Sequence, residues 1–225
     1  MHLNLWTCNV GRASCPSNNI LGISLFAAAL IIFNTTLLSK NLTGALIYLP
    51  DAVSAGEWWR LLTYPFVHVS FYHLLIDGLA FVVLYRSLLE TRFARRVLYI
   101  AGAGMGSMLA ATFAATETTS TGLCGLSGIA HGLMTVSALE FMRTGTEHND
   151  RISKMAGLVS LILIIGKSLI EAITGSVIFG WMHIGYIGYP IAICHAGGVV
   201  GALIAYSILN HRSISLPFPI AQHLA

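Results

Sequence analysis

Apolar positions in this chain do not alternate as in a half-buried strand, nor mark one stripe as in a surface helix; they run on in blocks. Six blocks can be drawn, at residues 20–38, 68–86, 97–115, 127–142, 155–173 and 195–210. Each approaches the roughly 20 residues an α-helix needs to cross a bilayer. The pattern predicts an all-α, polytopic membrane protein with six transmembrane helices in one domain over 20–210. Short tails, 1–19 and 211–225, flank it. Composition agrees: 56% of the 225 residues are hydrophobic and 9% are charged, against about 25% charged in soluble domains. Residues 1–19 are polar, and no clean cleavage site ends the first run, so that run is expected to stay as a helix.

The positions of the charges matter more than the net +3. Arg86, Arg92, Arg95 and Arg96 follow the second block; Arg143, Arg151 and Lys154 follow the fourth; Arg12 and Arg212 lie in the tails. These nine of twelve Lys and Arg residues fall on one side of the predicted topology. Lys40 and Arg60 fall on the other, and Lys167 within a span. The positive-inside rule then puts both termini in the cytoplasm. The 39–67, 116–126 and 174–194 loops lie outside, in keeping with a multi-pass protein of a bacterial inner membrane.

The 39–67 loop carries Tyr48, Trp58, Trp59 and Tyr64, rings that suit a membrane interface, and is expected to lie on the outer leaflet as short helices. No repeat and no basic patch suited to nucleic acid interrupts the chain. Cys8, Cys15, Cys124 and Cys194 show no metal-ligand spacing. Cys124 and Cys194 read as small buried thiols, with a disulfide between them the alternative.

Ionisable groups in a span are costly and ask for a reason. His68, His73, Asp77, His131, Lys167, Glu171 and His195 all fall within or at the ends of the blocks. Lys167 and Glu171, at i and i+4, read as an intrahelical pair. His73 and Asp77 share a face, while His68 sits about 140° away on an ideal helix. A metal held by these three is a rival reading, but their spacing lacks the regularity that puts two ligands on one face; no metal is predicted.

Ser127 has the most specific setting. It follows Gly125 and Leu126, precedes Gly128, and opens an apolar helix. Glycine permits unusual dihedrals and close backbone approach, and a helix N-terminus offers unpaired N–H groups to an oxyanion. His195 also opens a helix from the outer side, so it shares the depth of Ser127. Small residues follow it: Gly197 with Gly201 and Gly198 with Ala202 would let its helix approach a neighbour. If that neighbour is the Ser127 helix, the imidazole can take the serine proton and return it to a leaving amine. No acidic third member is evident, so a dyad is expected.

Glu57-Trp-Trp-Arg60, His68-x4-His73-x3-Asp77, Gly125-Leu-Ser-Gly128 and His195 with its small residues, in this order, resemble the rhomboid family of intramembrane serine proteases. The resemblance implies a six-helix bundle with a water-filled cavity open to the outside, Ser127 as nucleophile and His195 as general base. His73, with the Ser127 N–H and the Leu126 N–H, would form the oxyanion hole. Two positions depart from the family. Asp77 stands where asparagine is usual; ionised, it would repel an oxyanion, so it must be protonated, paired with His73 or His131, or turned away. His131 stands where a tyrosine often packs on the catalytic histidine, and could support His195 or rival it as base.

The string Cys124-Gly-Leu-Ser-Gly-x-x-His-Gly132 with Gly166-Lys-x-x-x-Glu171 looks most like the rhombosortase branch, which is thought to process surface proteins bearing a C-terminal Gly-Gly, helix and basic tail. The expected activity is an endopeptidase acting on single-span proteins near the outer membrane face. It needs no cofactor, and its partners are transmembrane substrates and lipid. The sequence leaves the oligomeric state open. The alternatives are a catalytically silent relative that binds transmembrane helices and a metal-dependent membrane enzyme or transporter.

Overall fold

A computed structural model of the chain describes residues 20–38, 43–178, 180–182 and 184–211. The predicted tails, apart from His211, lie outside the described residues, with Cys8, Cys15, Arg12, Arg212 and Lys40. The six apolar blocks form six long helices: α1 (Ile20–Asn34), α4 (Phe71–Ser87), α5 (Phe93–Ala114), α7 (Ser127–Glu147), α8 (Arg151–Thr174) and α9 (Ile193–Asn210). Short helices α2 (Pro50–Ser54), α3 (Arg60–Thr63) and α6 (Glu117–Thr121) lie in the connections. The starts have local causes. Ser70 accepts the His73 N–H at 3.0 Å to cap α4, and Asp150 accepts the Ile152 and Ser153 N–H groups to cap α8. Helix α8 stops at Gly175, in the left-handed region.

α7 is the centre of the bundle. It packs on α4, α5, α8 and α9, and Leu133, Val136 and Thr135 on it are fully buried. Being surrounded by protein, it tolerates Gly128, Gly132 and the buried Glu140. Its neighbours α5, α8 and α9 are each long and apolar enough to cross a membrane, and α3 through Phe66 forms a bent apolar pair with α4. Leucine, isoleucine and valine side chains point outward on α1, α4, α8 and α9, as expected where lipid replaces water.

Backbone proximity decides the tightest contact. A Cβ on Gly106 would overlap the Gly197 carbonyl oxygen, and one on Gly201 the Gly102 carbonyl oxygen. Thus the Gly197–Gly201 pair lets α9 approach α5. The Gly198–Ala202 pair faces α7, where a Cβ on Gly198 would overlap the Gly128 carbonyl. The close approach expected between α9 and α7 is present, but half of the small-residue surface serves α5 instead.

The 39–67 connection is more than an interfacial anchor. Trp58 and Trp59 are exposed as expected, but Tyr48 and Tyr64 are buried. The Tyr64 hydroxyl donates to the Gly104 carbonyl at 2.7 Å, and the Tyr48 hydroxyl lies 2.7 Å from Thr112 Oγ1. Each ring found a partner on α5, which a buried phenol needs. Arg60 is buried too, donating to Glu57, the Gly44 carbonyl and the Ile47 carbonyl. So braced, the connection holds the segment before Ser127. Tyr48 and Leu123 exchange both backbone hydrogen bonds at 2.9 Å, and the Gly125 N–H donates to the Tyr64 carbonyl at 3.1 Å.

The opposite end of the bundle closes with buried charge. Arg96 donates to the carbonyls of Tyr85, Leu88 and Glu90, satisfying the end of α4. Glu140 accepts the Leu89 and Glu90 N–H groups. Arg95 joins Glu90 to the Leu209 carbonyl at the end of α9.

Candidate active site

Ser127 is the first residue of α7, reached through Gly125 at φ +92°. A side chain at Gly125 would be strained by that dihedral and would press on Asp77 Oδ2 and the His73 ring at 2.9 Å. Gly128 is glycine for a different reason: a Cβ there would overlap Ser107 on α5 and press on the Cys194 carbonyl. One flanking glycine makes the turn and the other lets α5 and α9 close on the serine.

On the α4 side, Asp77 Oδ2 accepts the Leu126 N–H at 2.8 Å. It lies 3.3 Å from His73 Nε2 and 3.7 Å from His68 Nε2. Of the three arrangements open to Asp77, the structure has it paired with His73. Leu126, expected to offer its N–H to an oxyanion, already gives it to Asp77. His68 precedes α4 and is fully buried; its backbone N–H donates to Asn34 Oδ1 at 3.0 Å.

On the other side, α8 and α9 bring a polar cluster to α7. His131 Nδ1 lies 2.8 Å from the Ser127 carbonyl, and its Nε2 lies 2.9 Å from Lys167 Nζ. An ammonium can only donate, so Nε2 accepts and Nδ1 carries the proton given to Ser127. Both ring nitrogens of His131 are thereby engaged. His195 Nδ1 lies 2.7 Å from Glu171 Oε2. A carboxylate accepts, so Nδ1 carries a proton, and in the neutral ring the lone pair lies on Nε2. Glu171 is fully buried, and its other oxygen accepts from Lys167 at 2.7 Å and from the Ile178 N–H at 2.8 Å. The acidic partner that the sequence did not reveal is thus Glu171. Its signal was present, a carboxylate within a span, but the i,i+4 lysine accounted for it.

Ser127, His131, His73, Asp77, Lys167 and His195 line one cleft of about 290 Å³. The Ser127 hydroxyl points at Cys194 Sγ, 3.9 Å away; among the described residues no hydrogen bond joins it to His195. Turning it toward the imidazole requires rotation about the Ser127 Cα–Cβ bond, and such bonds often tighten only with substrate. Cys124 and Cys194 are free thiols. Ligand atoms of His131, Glu171 and His195 lie within 4.8 Å of one another, a possible metal-binding set. Lys167 Nζ already places a cation between His131 and Glu171. A larger cleft of about 630 Å³, among α1, α4 and α5, is lined chiefly by apolar groups.

The fold and cleft define a polytopic helical membrane protein in which a serine and a histidine, each at the start of a helix, meet in one polar cleft. The model of the rhomboid domain matches residues 55–212, and the chain belongs to the rhomboid family, whose members include intramembrane proteases and inactive relatives. No curated protein and no solved structure matches the chain.

Proposed function

We propose that the protein is an intramembrane serine endopeptidase with Ser127 as nucleophile and His195 as general base. The observation that carries this reading is the meeting in one cleft of Ser127, on a glycine-bounded helix start, and His195, whose Nδ1 is held by Glu171. In acylation, Ser127 Oγ bonds to the scissile carbonyl carbon, the π pair moves to the oxygen, and the serine proton passes to His195 Nε2. Collapse breaks the C–N bond, and the leaving amine takes that proton. Water, deprotonated by the same nitrogen, then frees the acid and restores Ser127. The Ser127 N–H and His73 would receive the oxyanion.

The substrates in this reading are single-span proteins, cut near the outer membrane face where a segment can unwind into the cleft. The rhombosortase-like strings around Ser127 and Lys167 favour C-terminal sorting signals of surface proteins. The positive-inside pattern favours cytoplasmic termini, and the rhombosortase-like strings favour a bacterial inner membrane.

The rival is a silent relative that binds transmembrane helices, and one observation favours it. Asp77 Oδ2 stands against Leu126 N–H and His73, where an oxyanion would go. A serine-directed fluorophosphonate separates the two. The protease labels, and Ser127→Ala abolishes labelling; a purified, folded protein that does not label at Ser127 belongs to the rival class.

A further inference from the structure

Glu171 is buried beyond what an intrahelical ion pair requires. An exposed i,i+4 pair stabilises a helix only slightly, and Glu before Lys is the better order; here Lys167 comes first. Removing a carboxylate wholly from water is costly unless its oxygens are satisfied, and here they are divided. Oε1 takes Lys167 and the Ile178 N–H, whereas Oε2, among the described residues, takes His195 Nδ1 alone. One oxygen anchors the carboxylate and the other addresses the imidazole.

We infer that Glu171 is the positioning residue of a Ser127–His195–Glu171 relay, and that Lys167 locks the relay by holding both Glu171 and His131. This rests on the serine-protease reading above. Glu171 keeps the proton of His195 on Nδ1, so that Nε2 faces the cleft unprotonated. When Nε2 takes the serine proton, the Nδ1–H stays on the imidazolium and the carboxylate faces it without accepting it. Lys167 donates to His131 Nε2 and so removes the second imidazole from competition as a base. His131 then serves as a plate: its ring lies 4.0 Å from that of His195 and 11° from parallel. The charged and titratable groups that line the cleft with His195 or bond to it are Lys167 and Glu171 from α8, His131 from α7, His73 and Asp77 from α4, the thiol of Cys194 on its own helix, the thiol of Cys124 before α7 and the phenol of Tyr189 before α9.

The test is fluorophosphonate labelling kinetics on purified full-length protein in detergent, with thermal unfolding as a check on folding. Glu171→Gln preserves shape and the acceptor for Lys167 and Ile178. Its amide would donate to Nδ1 and drive the histidine proton to Nε2, the wrong nitrogen. The expected result is a fall in the maximal labelling rate of about 10³–10⁴-fold, as for the corresponding change in soluble triads, with the half-saturating probe concentration unchanged and cooperative unfolding retained. In Glu171→Ala, added formate should restore labelling, and formate should do nothing for Glu171→Gln. A Glu171→Gln protein that labels at the wild-type rate overturns the inference while leaving Ser127 as nucleophile. A wild type that does not label at Ser127 overturns the protease reading itself. A stoichiometric metal ion in the purified protein, lost in Glu171→Gln, overturns the inference in favour of the metal set.

Discussion

The imidazoles of His131 and His195 lie face to face, 4.0 Å between centroids and 11° from parallel. Similar in chemistry, they differ in what their nitrogens touch. The His131 Nδ1–H donates to the Ser127 carbonyl and its Nε2 accepts from Lys167, whereas among the described residues His195 is hydrogen-bonded through Nδ1 alone, to Glu171. Among the described residues, only His195 keeps a ring nitrogen without a hydrogen-bond partner. His195→Ala should lower serine labelling by the about 10²–10⁴-fold of a lost general base. His131→Ala should lower it far less than His195→Ala, the loss being one of positioning. Silence in His131→Ala with labelling kept in His195→Ala would exchange the two roles.

Asp77 is both a brace and an obstacle. Its carboxylate satisfies the Leu126 N–H, so it fixes the turn that presents Ser127. As an anion beside His73 it also opposes a developing oxyanion. Asp77→Asn keeps an acceptor for Leu126 and gains an N–H donor. It should label faster than wild type, by no more than the roughly 10²–10³-fold worth of one oxyanion donor, at unchanged stability. Asp77→Ala strands a buried N–H and should cost about 1–3 kcal/mol in unfolding free energy. Faster labelling in the alanine variant than in the asparagine variant would mean that Asp77 acts only by obstruction.

The six long helices were legible because each is a continuous apolar run, which needs no tertiary knowledge to read. Ser127 was legible because a turn and a helix start are local. Tyr48 and Tyr64 were placed at the interface because aromatic residues in an outer loop of a membrane protein usually lie there; only the folded connection shows their hydroxyls reaching α5. Glu171 was missed for a similar reason. Its partner on the same helix is written in the spacing, but its partner on α9 lies 24 residues away and is set by how α8 and α9 pack around α7.

Glycines in the bundle differ in what surrounds them, and substitution should reveal it. Gly106→Ala forces a methyl group into the Gly197 carbonyl and Gly201 Cα, backbone atoms that have no rotamer to escape into. Unfolding in detergent should become easier by about 1–3 kcal/mol, as for overpacked cores. Gly166→Ala meets nothing within 4 Å, so it should gain the roughly 0.5–1 kcal/mol of helix propensity and leave labelling unchanged. Equal effects of the two substitutions on the unfolding midpoint would show that backbone contact between α5 and α9 is not what these glycines serve.

Far from the cleft, the connection between α4 and α5 carries a pH dependence of its own. Burial alone would raise the Glu90 carboxyl, but hydrogen bonds from Arg92 and Arg95 outweigh it and hold the carboxyl at about 2, below its usual 4.5. Arg95 is the better-sheltered partner, since the Arg92 side chain is 64% exposed and its attraction is screened by water and salt. A depressed folded-state value means that the unfolded chain binds the proton more readily. The stabilisation is therefore complete above about pH 4.5 and is lost as pH falls toward about 2. Thermal unfolding of wild type and Glu90→Gln, followed in detergent between about pH 6 and about pH 3, should show a gap that narrows on acidification. A gap that stays constant over that range would show that Glu90 contributes through its shape and hydrogen bonds rather than through its charge.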